Sequence, residues 1–344
     1  MSYHLPPIRL TGARILRNGQ FQRRSIGITR GRLTTGPLPQ VDLGGYLVLP
    51  GIVDLHADRV APAKLRDLEA IKARLSREGV TTAWLAVPSD PAPLIDQVLT
   101  RLNAIRGGID LRAKLILAPD AYFSPDHLRR LESQRLDFAC FDSVGRTDTG
   151  DSSGPTFPRE LCRMAECLDA LGIPYGSLGD ATAETREYYR MLGARFVEQP
   201  RSRAAAATAH AMDDCVIATA ASLKPSASVG EANGTARLVA EGLCDAIVSN
   251  GVPGVMSDAA WILANGTAEA LATAWSLISR RPAELMGLAD RGVLEPGKRA
   301  DLTIIHEKTR RVEATIAKGR LCFSSSEVAA RFGLSREEVP MAAE

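Results

Sequence analysis

Histidine is scarce, with five in 344 residues: His4, His56, His127, His210 and His306. Any chemistry that needs several imidazoles at one site is restricted from the outset. Basic and acidic side chains nearly cancel, 42 against 40 for a formal net charge of +2, and neither sign gathers into a long run. The electrostatic footprint of a dedicated nucleic-acid binder is therefore missing. No segment reaches the ~18 uninterrupted apolar residues of a membrane span, and the opening MSYHLPPIRL lacks the basic, apolar and cleavage regions of a secretory signal. These features predict a soluble cytoplasmic protein with no membrane partner. The six cysteines (Cys140, Cys162, Cys167, Cys215, Cys244, Cys322) include no Cys-x-x-Cys pair, which predicts reduced thiols used as small core residues rather than a disulfide frame or zinc knot. No repeat at a period of 20–50 residues is visible.

What the chain does have is a 45% apolar composition, enough for a sizeable buried core. Short alternating segments, Ile8–Ala13, Gly19–Ile28 and Gly45–Leu49, are separated by Gly and Asn and read as antiparallel β structure. From Pro50 onward, helical patterns such as Lys64–Glu78 and Pro91–Arg106 alternate with brief apolar runs. These runs are Gly51–Leu55, Thr81–Val87, Lys114–Ala118, Phe138–Phe141, Ile173–Leu178, Arg195–Glu198, Cys215–Ala220 and Ala246–Ser249. Repeated βα units of this size and number favour a closed (β/α)8 barrel over an open sheet. After Ala289 the β texture returns in Gly292–Leu294, Asp301–His306, Arg311–Lys318 and Arg320–Phe323. The expected class is thus α/β: a TIM-like barrel over 50–289, a small β-sandwich domain built from both ends of the chain (1–49 and 290–323), and a tail or docking helix over 324–344.

The strongest local signal is Leu49-Pro50-Gly51-Ile52-Val53-Asp54-Leu55-His56-Ala57-Asp58. Pro-Gly supplies a turn and Ile52–Leu55 a buried strand. His56 and Asp58, two apart on that strand, are expected to project to one side at its C-terminal end, where barrel enzymes place their chemistry. An imidazole and a carboxylate there could hold a divalent metal; the same pair also occurs as an ordinary hydrogen-bonded one.

The motif's flanks resemble the amidohydrolase superfamily, whose members carry a Pro-Gly-φ-φ-Asp-φ-His-x-His strand. The late run Arg291-Gly292-Val293-Leu294-Glu295-Pro296-Gly297-Lys298-Arg299-Ala300-Asp301-Leu302 resembles their Gly-x-φ-x-x-Gly-φ-x-Ala-Asp signature, and Ser279–Leu288 resembles their final barrel helix. Within the superfamily the chain is most similar to the PhnM-type proteins of phosphonate metabolism, which have His-x-Asp in place of His-x-His. Gly79-Val80-Thr81-Thr82, Phe141-Asp142-Ser143, Gly179-Asp180-Ala181-Thr182 and Gly242–Asn250 look like theirs as well. The resemblance implies metal-assisted hydrolysis of a phosphorylated small molecule, a ribose 5-triphosphate bearing a phosphonate that loses pyrophosphate. It also implies pairing through barrel helices, so a homodimer is the default expectation.

The departures from the family pattern are consistent. Ser177-Leu178-Gly179, Ala118-Pro119-Asp120, Ser143 and Gly230-Glu231-Ala232-Asn233-Gly234 stand where the family carries histidines. The aspartate that ends the family's last barrel strand and accepts a proton from water is here Asn250, and an amide cannot act as that base. Only His56 is left as a candidate site imidazole. The resemblance then assigns His56, Asp58 and Asp142 as metal ligands, with Lys114 at the position of the family's bridging carboxylate. Lys114 is either carboxylated there or a lysine snorkelling at the bottom rim. Asp180, with Asp58, is the surviving base candidate and Asn250 the altered catalytic position. Arg59, Arg146 and Lys224 follow strand ends and could pair with phosphate; Asn233 joins them as a substrate-binding candidate. Such a carboxylate-rich set suits a single divalent ion, Zn²⁺, Mn²⁺ or Mg²⁺, or none. Three functions compete: a PhnM-type hydrolase; an inactive paralogue that keeps ligand binding or a subunit contact; and an amidohydrolase with another substrate, such as a cyclic amide.

Overall fold

The eight apolar runs become eight strands of one parallel sheet: β1 (Ile52–Arg59), β2 (Val80–Pro88), β3 (Asp110–Leu117), β4 (Leu136–Asp142), β5 (Tyr175–Leu178), β6 (Phe196–Glu198), β7 (Cys215–Thr219) and β8 (Ala246–Val248). The structure is a computed structural model and describes residues 2–118, 121, 123–143, 158–223 and 234–334. The strands lie in chain order, each hydrogen-bonded to the next. Helices follow them: α1 (Leu68–Arg77), α2 (Pro93–Ala104), α3 (Pro125–Ser133), α4 (Pro158–Leu171), α5 (Ala183–Met191), α6 (Arg203–Ala211), α7 (Gly234–Ala240) and α8 (Val255–Ala264), with α9 (Ala268–Ser276) and α10 (Arg280–Leu285) completing the barrel. Several starts are legible as caps: the hydroxyls of Ser124, Thr182 and Ser202 accept the N–H of the residue three further on. No helix among the described residues is long and apolar enough to cross a membrane.

Closure of the barrel does not use a β1–β8 ladder. Asp54 stands in the seam: its Oδ1 accepts the N–H of Ser249 at 3.2 Å and that of His56 at 3.0 Å. The Ser249 hydroxyl donates to the carbonyl of His56 at 3.3 Å. Below them the carbonyls of Ile278 and Leu277 accept the N–H groups of Val53 and Ile247, at 2.9 and 3.0 Å. The orphan backbone groups of both edges are thus satisfied by one carboxylate and one returning segment, as burial requires.

Both chain ends build the second unit. A seven-stranded sheet combines Tyr3–His4, Arg14–Arg17, Gln20–Arg23 and Tyr46–Pro50 with Leu302–His306, Val312–Ala317 and Arg320–Ser324; a four-stranded sheet holds Ile8–Thr11, Ile26–Thr29, Arg32–Thr34 and Gln40–Asp42. The short helix α11 (Ser326–Arg331) packs its Val328 against this core. Two expectations need correction. Gly19–Ile28 is two strands broken after Arg23, and Gly292–Leu294 is not a strand. There Gly292, at φ +83, turns the chain and brings Arg291 to Thr82 Oγ1 at 2.8 Å and Asp110 Oδ2 at 2.7 Å.

The two units meet through motif residues. Gly51 connects the sandwich strand to β1 where any Cβ would lie 2.3 Å from the Thr81 side chain, so the Pro-Gly turn has a steric cause. Its N–H donates to Asp301 O at 3.0 Å, and Trp275 Nε1 donates to Pro50 O at 2.9 Å. Asp301, the acid of the late signature, is buried and accepts Lys318 N–H at 2.7 Å and Arg299 Nε at 2.8 Å. That signature is structural here.

Replacing Asp54 by Ala should leave two buried N–H groups unpaired at the seam, at about 1–3 kcal/mol each. Urea unfolding is expected to show the midpoint of D54A falling accordingly; an unchanged midpoint would show that the seam is held without it.

Candidate active site at the barrel centre

Glu198, the last residue of β6, is fully buried. A lone carboxylate there would be forced toward its neutral form by desolvation. Two partners from other strands prevent this. Lys114 Nζ lies 2.5 Å from Glu198 Oε2, and His56 Nδ1 bonds Glu198 Oε1. Lys114 Nζ is also 3.3 Å from His56 Nδ1 and stacks over the Phe138 ring at 5.1 Å. Burial raises the Glu198 carboxyl, but Lys114 and His56 outweigh it and hold it down at about 2. The chain of contacts continues: Gln199 Nε2 reaches Glu198 Oε1 at 3.4 Å, and Asn250 Nδ2 donates to Gln199 Oε1 at 3.1 Å. A carboxylate that accepts from Nδ1 orients the ring and leaves Nε2 as its second functional atom.

Lys114 is therefore not a rim lysine. It sits mid-strand in β3, with no exposed surface, rather than snorkelling at a rim, because β3 begins four residues earlier at Asp110. Asp58 stands apart from this network. Between Asp54 and Asp58 the pairing with β2 advances only from Ala83 to Leu85, a register irregularity that breaks the simple alternation. His56 joins Lys114 and Glu198; Asp58 instead accepts Lys64 Nζ at 2.9 Å, Arg74 Nη2 at 3.0 Å and the Arg59 N–H at 2.7 Å. The Arg59 residue itself is exposed.

Asp180 forms a separate buried cluster. It accepts Ser177 Oγ at 2.7 Å and Arg186 Nη1 at 3.3 Å, and Arg186 also donates to the carbonyls of Phe196 and Ala194. Burial still pushes its carboxyl above the usual range. Asp142 is half-buried at the end of β4, in register with Leu178. Arg146, Lys224, Asn233 and Asp120 lie outside the described residues. The other histidines stay away from the centre: His127 Nε2 pairs with Asp96 on α2 at 2.8 Å, and His306 packs edge-on against Tyr46. Glu198 is the candidate site residue that motif reading passes over. An acid ending an otherwise apolar barrel strand was the available signal.

The donor set of the described residues does not, as arranged, fit a divalent metal centre. Among the described residues no group of three or more His, Cys, Asp and Glu side chains is gathered to hold an ion. The oxygens of Asp58 are engaged by cations, His56 Nδ1 is taken by Glu198 Oε1, and the Lys114 ammonium occupies Glu198 Oε2.

No protein-family model matches the chain. A curated relative, the alpha-D-ribose 1-methylphosphonate 5-triphosphate diphosphatase of Escherichia coli (strain K12), is 30% identical over 154 residues, 44% of this chain and 39% of that protein. The match thus spans about two fifths of the relative's length, and it supports the PhnM-type resemblance. Among solved structures, N-acetylglucosamine-6-phosphate deacetylase from Pasteurella multocida superposes with a TM-score of 0.69 at 14% identity, covering 91% of this chain and 98% of that one. Beta-aspartyl dipeptidase from Fervidobacterium islandicum AW-1 gives 0.68 at 14%, covering 94% and 97%. A D-hydantoinase gives 0.69 at 13%, covering 91% and 94%. The chain has the amidohydrolase fold.

Lys114→Met should strand the Glu198 carboxylate and cost about 3–5 kcal/mol, with the added change Glu198→Gln recovering much of it; a double-mutant cycle of urea unfolding measures this coupling. Because folding lowers the Glu198 pKa from an unfolded value of 4.5 to about 2, its contribution is complete above the unfolded value and lost as pH falls toward the folded one. Wild type should therefore lose more stability than E198Q across that acid window. Parallel curves would show the carboxylate is not held ionised.

Proposed function

We propose that this amidohydrolase-fold chain binds a phosphorylated small molecule of the class handled by PhnM-type diphosphatases, a ribose 5-triphosphate bearing a phosphonate, without metal-dependent release of pyrophosphate. The observation that carries the reading is the Lys114–Glu198–His56 network: a tethered ammonium supplies the positive charge at the barrel centre. Asn250 supports it, since its amide donates to Gln199 and cannot accept a proton from water. The ligand class rests on the partial match to the diphosphatase and on Arg59 at the end of β1, whose guanidinium could form a bidentate pair with phosphate.

The hydrolase itself is the second reading. It is favoured by the retained Asp180, whose raised pKa suits a proton carrier, and by His56, whose Nδ1 contact with Glu198 orients the ring as in a general base. Under that reading Zn²⁺, Mn²⁺ or Mg²⁺ would have to displace the Lys114 ammonium.

Elemental analysis after incubation with Mn²⁺ and Zn²⁺, together with calorimetry using inorganic triphosphate, separates the two. Well under one equivalent of metal, together with metal-independent triphosphate binding, is expected. Stoichiometric metal that disappears in His56→Ala, accompanied by pyrophosphate release, would establish the hydrolase instead. Asn250→Asp alone should not start turnover, because Lys114 remains in place; new pyrophosphate release in that variant would make residue 250 the sole lesion.

A further inference from the structure

The N-terminal end of the barrel carries a feature independent of the His56–Glu198 network. A groove of about 1250 Å³ opens there, bordered by barrel loops and sandwich strands. Its floor includes Leu102, Ile105 and Leu111, each half-buried against the outer core. Arg30, Arg106, Arg135, Lys318 and Arg320 border it, and the first four are exposed. The deeper cations are already neutralised: Arg112 pairs with Asp110 and Asp137, and Arg299 with Asp110 and Asp301. Among the described residues the five bordering cations form no ion pair, and Arg106 donates to the carbonyl of Asn103. Of the acids that line it, Asp110 and Asp137 are taken by the deeper cations, and Glu132 has no ion pair among the described residues.

The groove therefore combines an apolar floor with a positive border. Its volume exceeds the roughly 300–1,000 Å³ of small-molecule pockets. Among the described residues no Phe, Tyr or Trp lines it to stack a nucleobase. We propose that this groove docks an acidic segment of a partner protein, with apolar side chains on Leu102, Ile105 and Leu111 and carboxylates meeting the five cations. Complementary charge of this kind sets orientation and association rate, and weakens with salt.

The test is fluorescence anisotropy of the full chain with a labelled peptide of alternating Glu and Leu. Binding is expected to weaken about tenfold in R106E/R135E, and likewise between low and moderate salt. The matched reversal R23E/K308E, at exposed sites outside the groove, should change it less than twofold. Thermal unfolding of each variant confirms the fold, and R106A/R135A replaces the charge reversal if the latter does not fold. No binding by wild type overturns the proposal, as does equal loss in both reversals or equal binding of a Gln–Leu peptide. Displacement by inorganic triphosphate or an oligonucleotide at a lower concentration than by unlabelled peptide would overturn it in favour of a different ligand.

Discussion

A full negative charge inside a closed barrel has to be answered by positive charge at contact distance, and in this fold everything at the centre follows from that. Glu198 ends β6 with no exposed surface. Water cannot solvate it, so its neighbours must. Where the donor set of a metal enzyme would meet this demand with an ion, Lys114 meets it with an ammonium carried on β3, and His56 completes the coordination of the second oxygen. The energy that holds such a pair is mostly the penalty of separating it. The network is consequently rigid in composition: changing any one member leaves a charge or a donor without a partner.

Rigidity at the centre depends on closure at the seam. His56 can reach Glu198 only because its own backbone is fixed, its N–H by Asp54 and its carbonyl by Ser249. Asp54 thereby couples the first strand to the last and sets the height of the imidazole in the same contact. Burial raises its carboxyl, opposed by the donors Ser249 and His56. A residue embedded in a motif usually read for metal ligation thus carries a structural duty that is independent of any ligand.

Most of the architecture was legible because periodicity and turn chemistry are local. All eight barrel strands fall on apolar runs visible in the chain. The scarcity of histidine likewise translated directly into a centre with one imidazole. Side-chain partnership was not legible in this way. Lys114 and Glu198 are separated by 84 positions and meet only through the curvature of the sheet. Asp58 could not be placed from alternation, because the β1–β2 register slips between Asp54 and Asp58. Pattern reading presumes ideal pleating, and barrels depart from it where strands bend to close.

The same irregularity separates the two side chains of the motif. A His-x-Asp pair on an ideal strand would present both side chains to one cavity. Here the slip sends Asp58 to Lys64 and Arg74, where its carboxylate ties the end of β1 to the segment leading into α1 and to α1 itself. Once that carboxylate is committed outside, a metal near His56 would lack a hard ligand from β1, and an ammonium in its place carries no coordination requirement beyond contact with Glu198. Asn250 fits the same logic. Its amide donates to Gln199, which in turn reaches Glu198, whereas a carboxylate at that position could not donate to the Gln199 oxygen.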